Sequence, residues 1–101
     1  MKMIMIAEFP PEPFNSHVRD GSIGNIIGEM MESLDFESFH FVELDGCRGA
    51  VGVFNISDSS EIPTYAEPFF LSFDAEVRFR IAMTPADLGN AGLDALGAKW
   101  G

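Results

Sequence analysis

His40 is the side chain in this sequence best suited to moving a proton at neutral pH, since an imidazole does so without a perturbed environment. It lies in an alternating run, residues 36–44, in which Ser38 and His40 share one face of a strand. A two-residue turn at Asp45-Gly46 pairs that run with residues 49–56. Position sums then set Leu44 opposite Cys47, Glu43 opposite Arg48, Phe41 opposite Ala50, His40 opposite Val51, Phe39 opposite Gly52, Ser38 opposite Val53 and Phe36 opposite Asn55. His40 thus shares a face with Ser38, Val51, Val53 and Asn55, a mostly apolar wall with a few polar groups. Small-molecule pockets have that composition, and a histidine in one acts as general base or orients a ligand. The competing expectation is a structural hydrogen bond near the sheet edge.

Arg78 and Arg80 are the only closely spaced basic pair, two apart on a strand face with Glu76. Paired guanidinium donors suit a carboxylate or phosphate on a ligand. The competing expectation is ion pairing, within the sheet or across a dimer, because sixteen acidic residues compete for six basic ones. Tyr65, in a helical stretch broken by prolines, is a candidate for the mouth of a cavity. His17 reads as a surface residue near a helix start. Cys47 reads as an exposed thiol beside a turn, with only Arg48 to activate it.

No Cys or His pair stands at metal-ligand spacing, and there is no phosphate-binding glycine loop or nucleophile elbow. No metal and no cofactor are expected, and no reaction is assigned. A net charge of −10 argues against nucleic acid and anionic membrane as partners, because both are held by clustered Lys and Arg. Otherwise the charge serves solubility. A single cysteine excludes an intrachain disulfide and suits a reducing compartment. Lys2 and the apolar run after it are interrupted by Glu8 and Pro10-Pro11 before a secretion signal is complete. No apolar stretch approaches the roughly 18 residues of a membrane span, so the expected location is the cytoplasm.

The elements that must position these residues follow from periodicity. Residues 1–9 read as a first strand, ended by Pro10, Pro11 and Pro13. Over residues 16–34, Val18, Ile23, Ile26, Ile27, Met30, Met31 and Leu34 make one helical stripe. Gly21, Gly24 and Gly28 within it are expected to allow close approach to the sheet, with a frayed first turn as the alternative. Residues 57–60 form a polar loop of helix-start character, and Pro63 and Pro68 leave room for only a turn or two of helix after it. Residues 74–83 alternate cleanly, Ala75, Val77, Phe79 and Ile81 against Glu76, Arg78 and Arg80. Thr84-Pro85-Ala86-Asp87 opens a short C-terminal helix carrying Leu88, Leu93, Leu96 and Trp100.

The order is βαββαβ with an added helix, a ferredoxin-like α+β fold in one domain, residues 1–101. Right-handed crossovers centre the first and third strands and leave the second and fourth as edges, about 14 Å apart. The helices cover one face only. The hairpin nevertheless reads as apolar on both: Phe39, Phe41 and Phe54 on one, Phe36, Val42, Val51 and Val53 on the other. The uncovered face calls for a second copy, or for the C-terminal helix folded across it.

The stretches Asp45-Gly46-Cys47-Arg48-Gly49 through Phe54, Phe69 to Phe73, and Ala75-Glu76-Val77 leading to Thr84-Pro85 resemble the dimeric α/β-barrel superfamily. Within it they are most similar to a bacterial domain-of-unknown-function family, 3303-like, in which a His on the second strand precedes a turn and a Gly-rich third strand, as His40 does here. The chain departs by having Ala66-Glu67-Pro68-Phe69 where a Trp is expected. The resemblance implies two sheets packed face to face around a cavity, used variously for oxygenation, isomerisation, haem chemistry or ligand sensing. Fold alone does not choose among these. Two expectations stand side by side: a homodimer binding a small apolar or anionic metabolite between its sheets, and a non-catalytic dimeric accessory or regulatory module without a pocket.

Overall fold

The computed structural model covers Met1–Gly101 and consists of a four-stranded antiparallel sheet with helices on one face. Strand β1 is Lys2–Phe9, β2 Phe36–Leu44, β3 Cys47–Asn55 and β4 Glu76–Ile81, in spatial order β2-β3-β1-β4. The first and third strands are central, as right-handed crossovers require. Between the strands run α1 (Pro11–Asp20), α2 (Ile23–Ser33) and α3 (Ile62–Phe73), and after them α4 (Pro85–Gly89) and α5 (Leu93–Trp100). This is the ferredoxin-like α+β fold.

The single helix expected over residues 16–34 is two helices. Gly21 takes a left-handed conformation (φ 81°) that caps α1, and Asp20 accepts a hydrogen bond from the Ser22 N–H at 2.8 Å across the break. Val18 is therefore on a different helix from the rest of the stripe and is exposed. Met30 is buried, and Ile23, Ile26, Ile27 and Met31 pack against the core. Nothing lies within 4 Å of where a Cβ would stand on Gly24 or Gly28, so these glycines do not bring the helix close to the sheet.

The helix expected to be broken by Pro63 and Pro68 is formed over twelve residues. Pro63 falls in its first turn, where no N–H is needed, and the stripe Ile62, Tyr65, Ala66, Phe69, Phe73 supplies burial that outweighs the one bond Pro68 removes. Asp58 and Glu61 form a capping box just before it: the Asp58 carboxylate accepts from the Ser60 N–H at 2.9 Å, and the Glu61 carboxylate accepts from the Ser57 and Asp58 N–H groups at 2.8 and 2.7 Å.

The hairpin turns on Asp45 (φ 50°) and Gly46 (φ 83°), the paired positive values of a type I′ turn. Its register matches the position sums from Leu44–Cys47 through Ser38–Val53. There a bulge intervenes, and Phe36 pairs with Phe54 instead of Asn55. The extra residue turns Phe36 onto the helix side, where its ring lies 5.9 Å from Phe54 and 5.4 Å from Tyr65. Gly52 makes the room: a Cβ there would stand 2.6 Å from the Phe36 ring and 3.1 Å from Phe39. Glu43 and Arg48 are opposite one another as expected but are not ion-paired. Glu43 accepts from the Gly46 N–H in the turn, while Arg48 donates to Asn15 Oδ1 at 2.6 Å and lies 4.4 Å above the Phe14 ring.

The core lies between the sheet and α1–α3, built from Met3, Met5, Ala7, Phe9, Ala50 and Phe54 of the sheet against Phe14, Met30, Leu34, Tyr65, Phe69 and Phe73. No helix is long and apolar enough to cross a membrane.

Candidate functional site

The sheet face away from the helices is read row by row from its pairing. Ser38, Val53, Ile4 and Arg80 form one row across β2, β3, β1 and β4, and His40, Val51, Ile6 and Arg78 form the next. The floor of this open face is therefore Ile4, Ile6, Val51 and Val53, all half-buried although no helix covers them. Ser38 and His40 rise along one edge and Arg78 and Arg80 along the other, three strand spacings or about 14 Å away. Phe36, expected on this face, is on the opposite one, and the two isoleucines of β1 supply the apolar area in its place.

The ends of the face differ in charge. At one end Lys2 pairs across the sheet with Asn55 and its ammonium binds the Glu37 carboxylate. At the other end Glu8 and Glu76 stand directly opposite each other on β1 and β4. Like charges in that position repel.

His40 is exposed, and the only imidazole with a hydrogen-bond partner is that of His17, whose Nδ1 lies 3.0 Å from Ser22 Oγ. The structural hydrogen bond weighed for His40 is not made within one chain. Arg78 approaches Glu76 at 3.9 Å with both side chains well exposed, a pairing that water screens. Arg80 has no carboxylate partner and donates to the Phe79 carbonyl at 3.0 Å. Asn55 is exposed at the Lys2 end of the face.

Tyr65 does not join this group. It is buried on the helix side, stacked on Phe54 at 3.9 Å between ring centres, with its hydroxyl donating to the Asp35 carbonyl at 3.4 Å. Burial pushes its phenol up from the ordinary value. The Cys47 thiol is also pushed up, by desolvation and then by Glu8, Asp45 and Glu43, so nothing activates it as a nucleophile. No group of three or more His, Cys, Asp or Glu side chains is arranged to hold a metal ion.

The four hollows of the single chain lie elsewhere. One lies between α2 and α3 beside Met30 and Leu34, one beside Cys47 and Glu76, and two flank Arg48. None is lined by Ser38, His40, Asn55, Tyr65, Arg78 or Arg80. Five of these six candidates therefore share an open face, which one chain leaves without walls. Sequence reasoning passed over Ile4 and Ile6, although their alternation with Met3 and Met5 is visible in the first strand.

One known structure shares this fold. A structure of Rv0793 from Mycobacterium tuberculosis superposes with a TM-score of 0.51 at 13% identity, over 85% of this chain and 99% of that one. A de novo designed protein, Ferredog-Diesel, superposes with a TM-score of 0.44 at 14% identity, over 79% of this chain and 83% of that one. No protein-family profile and no curated relative matches the chain.

Proposed function

We propose that this chain works as a homodimer of the dimeric α/β-barrel type, with the two open sheet faces enclosing a chamber for a small apolar or anionic metabolite. The observation that carries the reading is the open face itself: an uncovered apolar floor of Ile4, Ile6, Val51 and Val53 between a Ser38–His40 edge and an Arg78–Arg80 edge. A solvated outer face of an antiparallel sheet has no need of such a floor. The face is also self-complementary. A two-fold axis across the strands lays the Ile4–Val53 floor of one copy on the Ile6–Val51 floor of the other, brings the Lys2 end of one over the Glu8–Glu76 end of the other, and sets the two Arg78–Arg80 edges together, where an anionic ligand would lie between them. In that chamber the arginines supply donors to an anionic group, and His40 supplies a proton acceptor or an orienting hydrogen bond. The 3303-like family resemblance and a cytoplasmic location belong to the same proposal, the latter suited by the lone reduced thiol of Cys47.

A second reading is a dimeric accessory or regulatory module without a chamber. It is favoured by one observation: no hollow of the single chain touches any of the candidate residues. Two measurements on the full chain separate the readings. Light scattering at micromolar concentration is expected to give twice the monomer mass. Anilinonaphthalene sulfonate, an apolar probe with an anionic group, is expected to bind saturably, with Arg80→Ala and His40→Ala weakening it severalfold while the mass stays dimeric. A dimer whose probe binding ignores both substitutions supports the module. A strict monomer overturns both.

A further inference from the structure

We propose that residues 84–101 form an arm by which each protomer grips a second copy of this chain, with Leu93, Leu96 and Trp100 as the buried contact. The inference rests on the dimer reading above and adds a second interface to it. The arm consists of α4 and α5, of five and eight residues. Helices shorter than about 12 residues are marginal in water and persist in proteins through packing of an apolar face. The body of this chain supplies no such packing. Residues 85–101 are all exposed, and nothing beyond Phe79 belongs to the core or packs against it. The chain measures 60 × 29 × 19 Å with a radius of gyration of 17.2 Å, where a compact 100-residue domain has about 13 Å. The excess is the arm, which neither returns to the helices nor folds across the open face.

The arm has an apolar stripe of its own. Leu93, Leu96 and Trp100 follow helical spacing along α5 and are 51, 46 and 76% exposed, with Leu88 of α4 at 45%. Its root is held. Ala82 donates from its N–H to the Lys2 carbonyl at 2.9 Å. Thr84 and Asp87 exchange capping hydrogen bonds at 2.9 and 3.1 Å. The arm thus leaves the body at the Lys2 end of the sheet.

Area and charge identify the occupant as a second copy. The open face is four strands wide and about five residues of strand long, a flat footprint of roughly 300 Å². A stable interface buries about 800 Å² on each partner. Stacked sheets alone fall short, and a reciprocal pair of arms adds the missing area twice by symmetry. The arm carries only Asp87, Asp94 and Lys99 as charged residues in a chain of net charge −10, so it is the segment least opposed by the field of an equally acidic copy. A basic partner would be drawn to the acidic body before the arm.

Trp100 is the only tryptophan, so its emission reports on the arm alone. Sedimentation equilibrium and tryptophan emission are measured on the full chain over the same concentration series. The expected result is a blue shift of Trp100 that follows dimerisation, and a Leu93→Ser/Leu96→Ser variant whose dimer is weaker by about a hundredfold or more with unchanged far-ultraviolet dichroism of the body. A dimer in which Trp100 keeps water-like emission overturns the arm and leaves the dimer standing. A monomer at every concentration overturns the dimer reading and the arm with it. A blue-shifted monomer overturns both by showing the arm folded on its own body.

Discussion

The two faces of this sheet are made from alternate residues of the same strands, yet they are different materials. Along β1, Met3, Met5, Ala7 and Phe9 are buried at 3% exposure or less, whereas Lys2, Ile4, Ile6 and Glu8 are half-buried. The helix side is closed by phenylalanine: Phe9, Phe54, Phe69 and Phe73 are almost wholly enclosed, and no polar residue is buried among them. The open side is apolar only across its two middle rows and carries charge at both ends. Strand period assigns a residue to a face, but what lies over the face decides how much burial stabilises it. The helix side is complete in one chain. The open side is not: its apolar rows of Ile4, Ile6, Val51 and Val53 have no helix over them.

Substitutions on each face can break or sharpen this contrast. The largest expected effect is on the helix side: Phe69→Ala leaves a cavity among Phe9, Phe36 and Phe39 and is expected to cost about 3–5 kcal/mol in denaturant unfolding. Gly52→Ala forces a methyl against the Phe36 and Phe39 rings and is expected to cost about 1–3 kcal/mol. Ile6→Asp, one residue from buried Met5, is expected to cost the isolated monomer under about 1 kcal/mol, because a charge on an uncovered face stays in water. The same change is expected to abolish the dimer in sedimentation. Equal losses of monomer stability from Ile6→Asp and Phe69→Ala would erase the contrast. Tyr65→Phe removes one long hydrogen bond to the Asp35 carbonyl and is expected to cost about 0.5–1 kcal/mol.

The smallest effect is acid titration of the helix starts. The Ser60 hydroxyl and N–H hold Asp58 below the usual carboxylate range, the Ser57 and Asp58 N–H groups hold Glu61 there, and the Thr84 N–H and hydroxyl hold Asp87 there. A lowered folded-state pKa stabilises fully above the unfolded value and is lost as pH falls through the folded one. Stability from these groups is therefore expected to be flat from pH 7 to about 5 and to decline gently below about 4. These groups are exposed, so a steep loss between pH 7 and 5 would point to a different, more buried group.

Much of this was legible in local pattern. Asp45-Gly46 specified a turn with two positive φ angles, and counting outward from it gave seven of the eight pairs in the hairpin. The eighth failed at Phe36 because a bulge is a property of both strands and the layer above them, not of one run. The break at Gly21 and the unbroken α3 were misread for opposite versions of one reason. A glycine in left-handed conformation ends a helix that periodicity would continue, and buried Tyr65, Phe69 and Phe73 continue a helix that prolines would end. The site was half legible. Strand parity grouped Ser38, His40 and Asn55 on one face, and Arg78 and Arg80 along one strand face. It did not reveal that Ile4 and Ile6 join them, or that Tyr65 belongs to the core.

Sequence by itself determined the four strands and their order, the Asp45-Gly46 turn, the Thr84 cap and the hairpin register up to the bulge, because each follows from contacts between residues close in the chain or from the two- and 3.6-residue periods. Only the tertiary structure decided which face each aromatic serves and which hydrophobic residues are left without cover. Those outcomes depend on distant segments meeting: β1 lying between β3 and β4, Phe69 of α3 reaching Phe39, and α5 lying outside the core of its own chain. Burial is a property of that meeting, and no window of sequence contains both partners.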